Sequence, residues 1–250
     1  MLSVGLAPEF FSPDGDGEND ELFATLGAED ESGIESWMIR IYEPNSTDKL
    51  FYEMSAQGAP PSEAIWDGRS NINGELVQSA SDYSWTFSAT DTAGNESAIH
   101  GSIETGDWPP IKIDILVIRE GDILRAQVPS IVFGANSGGF TGLDADVIKN
   151  NEYIIERIAA ALNKFETYKV QVEGHTNPLA RTQRERQREQ ITDQRLSIQR
   201  AQTVVDHLVA LGVDSSRFNV VGIGGARPIA PYENRDDWWK NRRVEFILIK

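Results

Sequence analysis

The sequence predicts an α+β protein of two domains: a β-sandwich over residues 1–108, then a β-α-β-α-β sandwich with helices on one face over 109–250. Three observations carry this prediction. The chain has 250 residues, enough for two domains of ordinary size. Its charge is split: residues 1–110 hold 21 Asp and Glu against 3 Lys and Arg, a balance of −18, and residues 111–250 hold 18 against 20, a balance of +2. The hydrophobic period changes from two in the front half to mixed two and 3.6 in the back half.

In the front half, Trp37-Met38-Ile39-Arg40-Ile41-Tyr42 is β-branched and aromatic, and Tyr83, Trp85, Phe87 and Ala89 alternate with small polar residues. Both read as half-buried strands. Pro13-Asp14-Gly15-Asp16-Gly17, Asp67-Gly68, Asn73-Gly74 and Ala93-Gly94-Asn95 supply turns. Gly106-Asp107-Trp108-Pro109-Pro110 reads as the boundary, because two prolines cannot sit inside a sheet ladder. Strands are then expected at 111–118 and 127–133. Residues 144–165 read as a helix, with Val147, Ile148, Ile154, Ile155, Ile158 and Leu162 at helical spacing. A strand follows at Tyr168–Glu173. A second helix is expected from about Asp193 to Leu211, with Leu196, Ala201, Val204, Val205 and Leu208 as its apolar face and Gly212 as its stop. Strands at 218–222 and 243–249 complete the domain. The run Arg181 to Gln190, almost wholly charged and amide, reads as a solvated helical extension or surface loop.

Composition excludes several chemistries. With no cysteine, disulfide scaffolds, thiolate metal sites and cysteine nucleophiles are out. No run of about 18 apolar residues predicts a bilayer span, and residues 1–30 show no secretory leader pattern. An acidic front half repels nucleic-acid phosphate. The three histidines, His100, His175 and His207, lack metal-ligand spacing, and no Gly-x-Ser-x-Gly elbow is present, so no catalytic residue, metal or cofactor is expected.

Four ordered motifs stand out in the back half: Gly174-His175-Thr176-Asn177, then Arg195-Leu196-Ser197-Ile198-Gln199-Arg200-Ala201, then Gly222-Ile223-Gly224-Gly225-Ala226-Arg227-Pro228, then Asn241-Arg242-Arg243-Val244-Glu245. Over residues 112–250 these resemble the OmpA-like peptidoglycan-associating domain, with its G-H-T-D, N-x-x-L-S-x-x-R-A, G-x-G-x-x-x-P and N-R-R-V-E pattern. Asn177 before Pro178 and the ending from Trp238 to Phe246 are similar to spirochaete members of that family. The resemblance implies a site for the free, zwitterionic end of diaminopimelate in the peptidoglycan stem peptide. There a carboxylate would hold the ammonium and an arginine fork the carboxyl group.

Carried over residue by residue, Arg200 and Arg242 match the family's arginines, Thr176 its threonine, and Asn136 in Phe133-Gly134-Ala135-Asn136 its early asparagine. The aspartate is missing, and Asn177 stands in its place. Asp193 falls on the helix-start asparagine and could return the negative charge. Two readings follow. Either the pocket of Asn136, Thr176, Asn177, Asp193, Arg200 and Arg242 still binds peptidoglycan, with diaminopimelate or ornithine in the stem, or it keeps only its scaffold as a structural or protein-interaction module. As ordinary residues, Arg200 would make a surface ion pair with Asp193 or a nearby Glu, and His175 would be a packed strand-end residue. Of Trp238 and Trp239, one could pack on the core and the other could stack on a sugar.

The front half has a resemblance of its own. Phe11 to Asp20, Trp66-Asp67-Gly68, Tyr83-Ser84-Trp85 and Asp91 to Asn95 are similar to the Ig-like modules of flagellar hook-capping and gliding-motility proteins, which implies a spacer or interaction domain. Asp14, Asp16 and Asp20 invite a calcium reading. The glycine and glutamate positions do not follow an EF-hand loop, and an Asx-rich turn is preferred. The expected protein is non-catalytic and associated with the periplasm or outer membrane. Its expected partners are the stem peptide of peptidoglycan and another envelope protein met by the Ig-like domain.

Overall fold

A computed structural model describes residues 1–44, 46–102, 108–177, 182–231 and 233–250. The chain divides into two compact units, Met1–Asp114 and Ile115–Lys250.

The first unit is built from β1 (Leu2–Ala7), β2 (Phe10–Phe11), β3 (Leu22–Ala28), β4 (Ile34–Tyr42), β5 (Leu50–Gln57), β6 (Glu63–Trp66), β7 (Asp82–Tyr83), β8 (Trp85–Asp91), β9 (Glu96–Gly101) and β10 (Ile111–Ile113). Two antiparallel sheets, ordered β1-β3-β6 and β5-β4-β8-β9, and a short sheet β2-β10-β7 make this unit sheet-rich. The alternation foreseen at 83–89 holds. In β8, Trp85, Phe87 and Ala89 are buried while Thr86, Ser88 and Thr90 are not. Edge-on aromatic contacts bind the sheets together, with ring centroids 6.1 Å apart for Phe51–Trp66 and 5.1 Å for Phe51–Tyr83. At Asp14–Asp20 the carboxylates accept backbone N–H groups: Asp20 from Gly15 (2.7 Å) and Gly17 (2.8 Å), and Asp16 from Glu18 (2.7 Å). These bonds shape the turn as an Asx cluster.

The boundary expected at 108/109 moves to Asp114/Ile115. Ile111 and Ile113, expected in a strand of the back half, lie in β10, parallel to β2 and antiparallel to β7. Both are almost fully buried. Pro109 accepts a hydrogen bond from Trp85 Nε1 at 3.0 Å. A proline needs no ladder partner, so Pro109-Pro110 can lead into a strand rather than end the domain. Gly106 and Asp107 of the expected linker lie outside the described residues.

The second unit runs β11 (Ile118–Glu120), β12 (Ile123–Val128), α1 (Ala145–Asn163), β13 (Lys169–His175), α2 (Gln183–Ala210), β14 (Phe218–Gly224), α3 (Trp238–Asn241) and β15 (Val244–Ile249). Its sheet has the order β11-β12-β15-β13-β14. β13 and β14 are parallel, as a strand–helix–strand crossover requires, and β15 inserts antiparallel between β12 and β13. One sheet face is apolar: Ala126, Val128, Val170, Val172, Val244, Phe246 and Leu248 are each at most 3% exposed. Against it lie Ile154, Ile155 and Ile158 of α1 and Ala201, Val204 and Leu208 of α2.

Two elements differ from expectation. The strand expected at 127–133 begins at Ile123, as half of a hairpin with β11 across Gly121-Asp122, where Gly121 takes φ +62°. The second helix starts ten residues early, at Gln183, because Thr182 and Glu185 form a capping box. Residues 183–190 are therefore its helical extension, and Arg181 lies outside the described residues.

Candidate functional site

The site begins with a close approach of helix and sheet. A Cβ on Gly174 would stand 2.0 Å from the carbonyl oxygen of Ser197, so only glycine lets α2 lie this near β13. Gly222 gives the same clearance on β14, where a Cβ would be 2.4 Å from Gln194 O. Ser197, fully buried, pins the contact: its hydroxyl donates to Gln194 O (2.9 Å) and accepts from Gly224 N (3.0 Å). The glycines and serine of the sequence motifs are thus packing devices that bring α2 to the ends of β13 and β14.

The loop after β12 closes on the same helix. Thr203 Oγ1 donates to Gly138 O at 2.8 Å, and Arg200 Nε donates to Ser137 O at 3.2 Å. The Arg200 guanidinium lies over the Phe133 ring, 5.1 Å from its centroid. Asn136, exposed, sits beside Ser137 with φ +52°, a left-handed conformation asparagine adopts more readily than most residues.

Arg200 is only 8% exposed, yet no carboxylate among the described residues lies within 4.0 Å of it. Its pKa is lowered by burial first and by the like charge of Arg242 second, while Asp193 acts the other way. Arg200 thus feels charges carried by residues far apart in sequence.

Asp193 lies two turns before Arg200 on α2, hence on nearly the same face, and is half-buried. Its Cβ would be 3.2 Å from a Cβ added to Gly224. Gly224 O in turn accepts from Thr176 N at 3.0 Å. Thr176 is buried, and its hydroxyl has no hydrogen-bond partner.

Asn177, 8% exposed, is held by Asn241. The Asn241 carbonyl oxygen accepts from Ile229 N (2.8 Å) and Ala230 N (2.9 Å), which turns its amide nitrogen to Asn177 Oδ1 at 2.8 Å. The next residue is Arg242, exposed. Thr176 and Asn177 thus follow β13, Arg242 precedes β15, Asp193 approaches Gly224 at the end of β14, Arg200 lies further along α2, and Asn136 stands in the loop after β12. Phe133, Ser197 and Asn241 belong with them. Each lies inside a quoted motif, but only the fold shows which role each plays.

The opposite face of the sheet carries a buried ionic layer that no motif announced. Glu245 is engaged by Arg125 and by Arg243 Nε (2.6 Å), and Glu173 by Arg227 and by Gln171 Nε2 (2.7 Å). His175 is buried as expected, 1% exposed, with Nε2 3.6 Å from a carboxylate oxygen of each glutamate. Glu173, His175 and Glu245 offer three donor atoms within 4.8 Å of one another. Their carboxylates already face three guanidiniums, so the arrangement is an ion network rather than a cation cage. Alternation in Lys169–Glu173 was the available signal, since the polar face of a strand buried on both sides must be paired.

This layer predicts acid sensitivity. His175 is lowered to about 4, by burial first and the Arg243 charge second, and Glu245 is held below its usual value chiefly by Arg243, against the effect of burial. In both cases the unfolded chain takes up a proton before the folded one. Stability is therefore expected to fall as pH drops from about 6.5 to about 4, by up to roughly 3 kcal/mol from His175, and further below pH 4.5 from Glu245. Urea unfolding across this range checks it. His175→Gln should flatten the upper window, and an unchanged profile in that variant would refute the assignment.

Residues 144–242 match the model of the OmpA family. Among curated proteins, the chain is 30% identical over 156 residues to the peptidoglycan-binding protein ArfA of Mycobacterium tuberculosis, covering 58% of this chain and 45% of that protein. It is 32% identical over 119 residues to the peptidoglycan-associated lipoprotein of Mesorhizobium japonicum, covering 46% and 66%. It is 29% identical over 135 residues to the probable lipoprotein YiaD of Escherichia coli, covering 54% and 55%. The chain spans about half the length of most of these relatives. Among solved structures, the cell wall anchor of the T6SS from Pseudomonas aeruginosa is 26% identical, with TM-score 0.42, covering 54% of this chain and 87% of that one. On that family match, residues 144–242 are an OmpA-family domain.

Proposed function

We propose that the second unit holds peptidoglycan non-covalently, through the end of a stem peptide, at the site of Asn136, Thr176, Asn177, Asp193, Arg200 and Arg242. The observation that carries this is Arg200. A buried guanidinium without a carboxylate partner costs free energy, and a ligand oxyanion returns it. The relatives named for peptidoglycan binding or association support the reading. The Ig-like first unit serves as a spacer or as a contact for another envelope protein, and the protein works in the periplasm or at the outer membrane. No helix among the described residues is long and apolar enough to cross a membrane.

Co-sedimentation of the full chain with purified sacculi tests the proposal. Recovery in the pellet is expected, with no release of muropeptides. A chain that stays in the supernatant would leave the domain as a scaffold only.

A further inference from the structure

The two edges of the second unit's sheet are unlike. β11 is three residues long and carries Arg119 and Glu120, the short and charged form in which an edge strand resists further pairing. β14 has seven residues, with neither a charge nor a proline, and among the described residues it pairs with β13 alone. Its outer main-chain groups are open to another strand.

Beside this edge α2 holds an apolar stripe. Ile191, Ile198 and Val209 are exposed and fall on one helix face with Val205. Val205 and Val209 line an open groove with Phe218 and Val220 of β14. Ile198 reaches the next position along the strand, where a Cβ on Gly222 would meet its Cγ1 at 2.5 Å. A strand added at β14 would have one face covered by this stripe.

The geometry suits a second copy of the chain. α2 runs antiparallel to β14, with Asp193 beside Gly224 and with Asp206 and Val209 beside Phe218. The midpoint of β14, Val221, is therefore level with Arg200 of the helix. A two-fold axis at that level sets β14 antiparallel to its own copy. α2 lies over the seam between β13 and β14, against Gly174 and Gly222. The two copies of α2 then stand two strand spacings apart, about 10 Å, which is the separation of packed helices. The same axis sets Ile191 against the partner's Val209 and Arg195 against the partner's Asp206. Arg195 and Asp206 are exposed and opposite in charge.

We propose that this protein pairs with itself through β14 and α2, joining two five-stranded sheets into one across a two-fold axis. The pairing does not depend on what the peptidoglycan site holds.

Sedimentation equilibrium of the full chain tests it, with amide hydrogen exchange on the same samples. A rise from the mass of one chain to that of two is expected below about 1 mM, with slower exchange at residues 219–223 as the larger species forms. Arg195→Glu sets like charges against each other twice and should weaken the pair at least about tenfold. Adding Asp206→Arg restores opposite charges and should recover affinity to within about threefold of the unaltered chain. Both positions are exposed, so the fold tolerates either change. A single species of one chain's mass up to about 1 mM overturns the proposal and leaves β14 to a strand of another protein. A pair unmoved by Arg195→Glu, a double variant as weak as Arg195→Glu, or a pair formed without slowed exchange in β14 overturns it too, because the copies then meet elsewhere.

Discussion

Arg200→Ala is expected to abolish sedimentation with sacculi while leaving the fold intact. The residue gives the site its buried positive charge, and truncating one member of a desolvated charge pair costs about 2–5 kcal/mol of binding, at least roughly thirtyfold in affinity. The folded state loses far less. Arg200 makes one backbone hydrogen bond, to Ser137 O, and one stacking contact, over Phe133. Each is worth about 1 kcal/mol. Against these stands relief from burying a cation without a carboxylate partner. The net change in stability should stay within about 1 kcal/mol by urea unfolding. Wild-type sedimentation by this variant would place the ligand elsewhere. Loss of sedimentation together with gross unfolding would make Arg200 a structural residue.

Gly174→Ala should act the other way, through the fold. Its Cβ would lie 2.0 Å from the carbonyl oxygen of Ser197 and 2.7 Å from the carbonyl carbon, both main-chain atoms of α2. No side-chain rotation relieves that overlap. The helix must lift from β13, breaking the bond from Gly224 N to the Ser197 hydroxyl. A cost of about 3 kcal/mol or more follows, lowering the melting temperature of the second unit by roughly 10 °C. Differential scanning calorimetry checks this. An unshifted transition would mean that α2 does not approach the sheet as closely as described. Sacculus binding should weaken with it, because Asp193 and Arg200 travel on the same helix.

Glycine at this position illustrates how far a sequence can be read. Gly174, Ser197, Gly222 and Gly224 all stand in recognisable motifs, and their order implies the OmpA-like arrangement. Why the sheet positions are glycine emerges only when helix and sheet are placed so close that a Cβ on Gly174 or Gly222 would stand 2.0 or 2.4 Å from a main-chain oxygen of α2. The same holds for Asn241. In the sequence it opens the Asn-Arg-Arg run, and in the structure it is the fixed point that decides which way the Asn177 amide faces. The boundary at Pro109-Pro110 misled for a related reason. Local chemistry marks prolines as breakers, but the two isoleucines after them find partners in β2 and β7, strands about 100 and 30 residues earlier.

The resemblance to the OmpA-like domain supplied the six candidate site residues, and periodicity, turn chemistry and motif order indicated the sheet-rich front half and the α+β domain after it. These are local signals, written at spacings of two and 3.6 residues. The tertiary structure alone decided that Arg200 is buried with no carboxylate among the described residues within 4.0 Å, that it feels the charges of Arg242 and Asp193, and that Glu173, Glu245 and His175 form an ion network with Arg125, Arg227 and Arg243. Those outcomes depend on burial and on charges remote in sequence, and Coulomb energy is set by distance in space rather than by spacing along the chain.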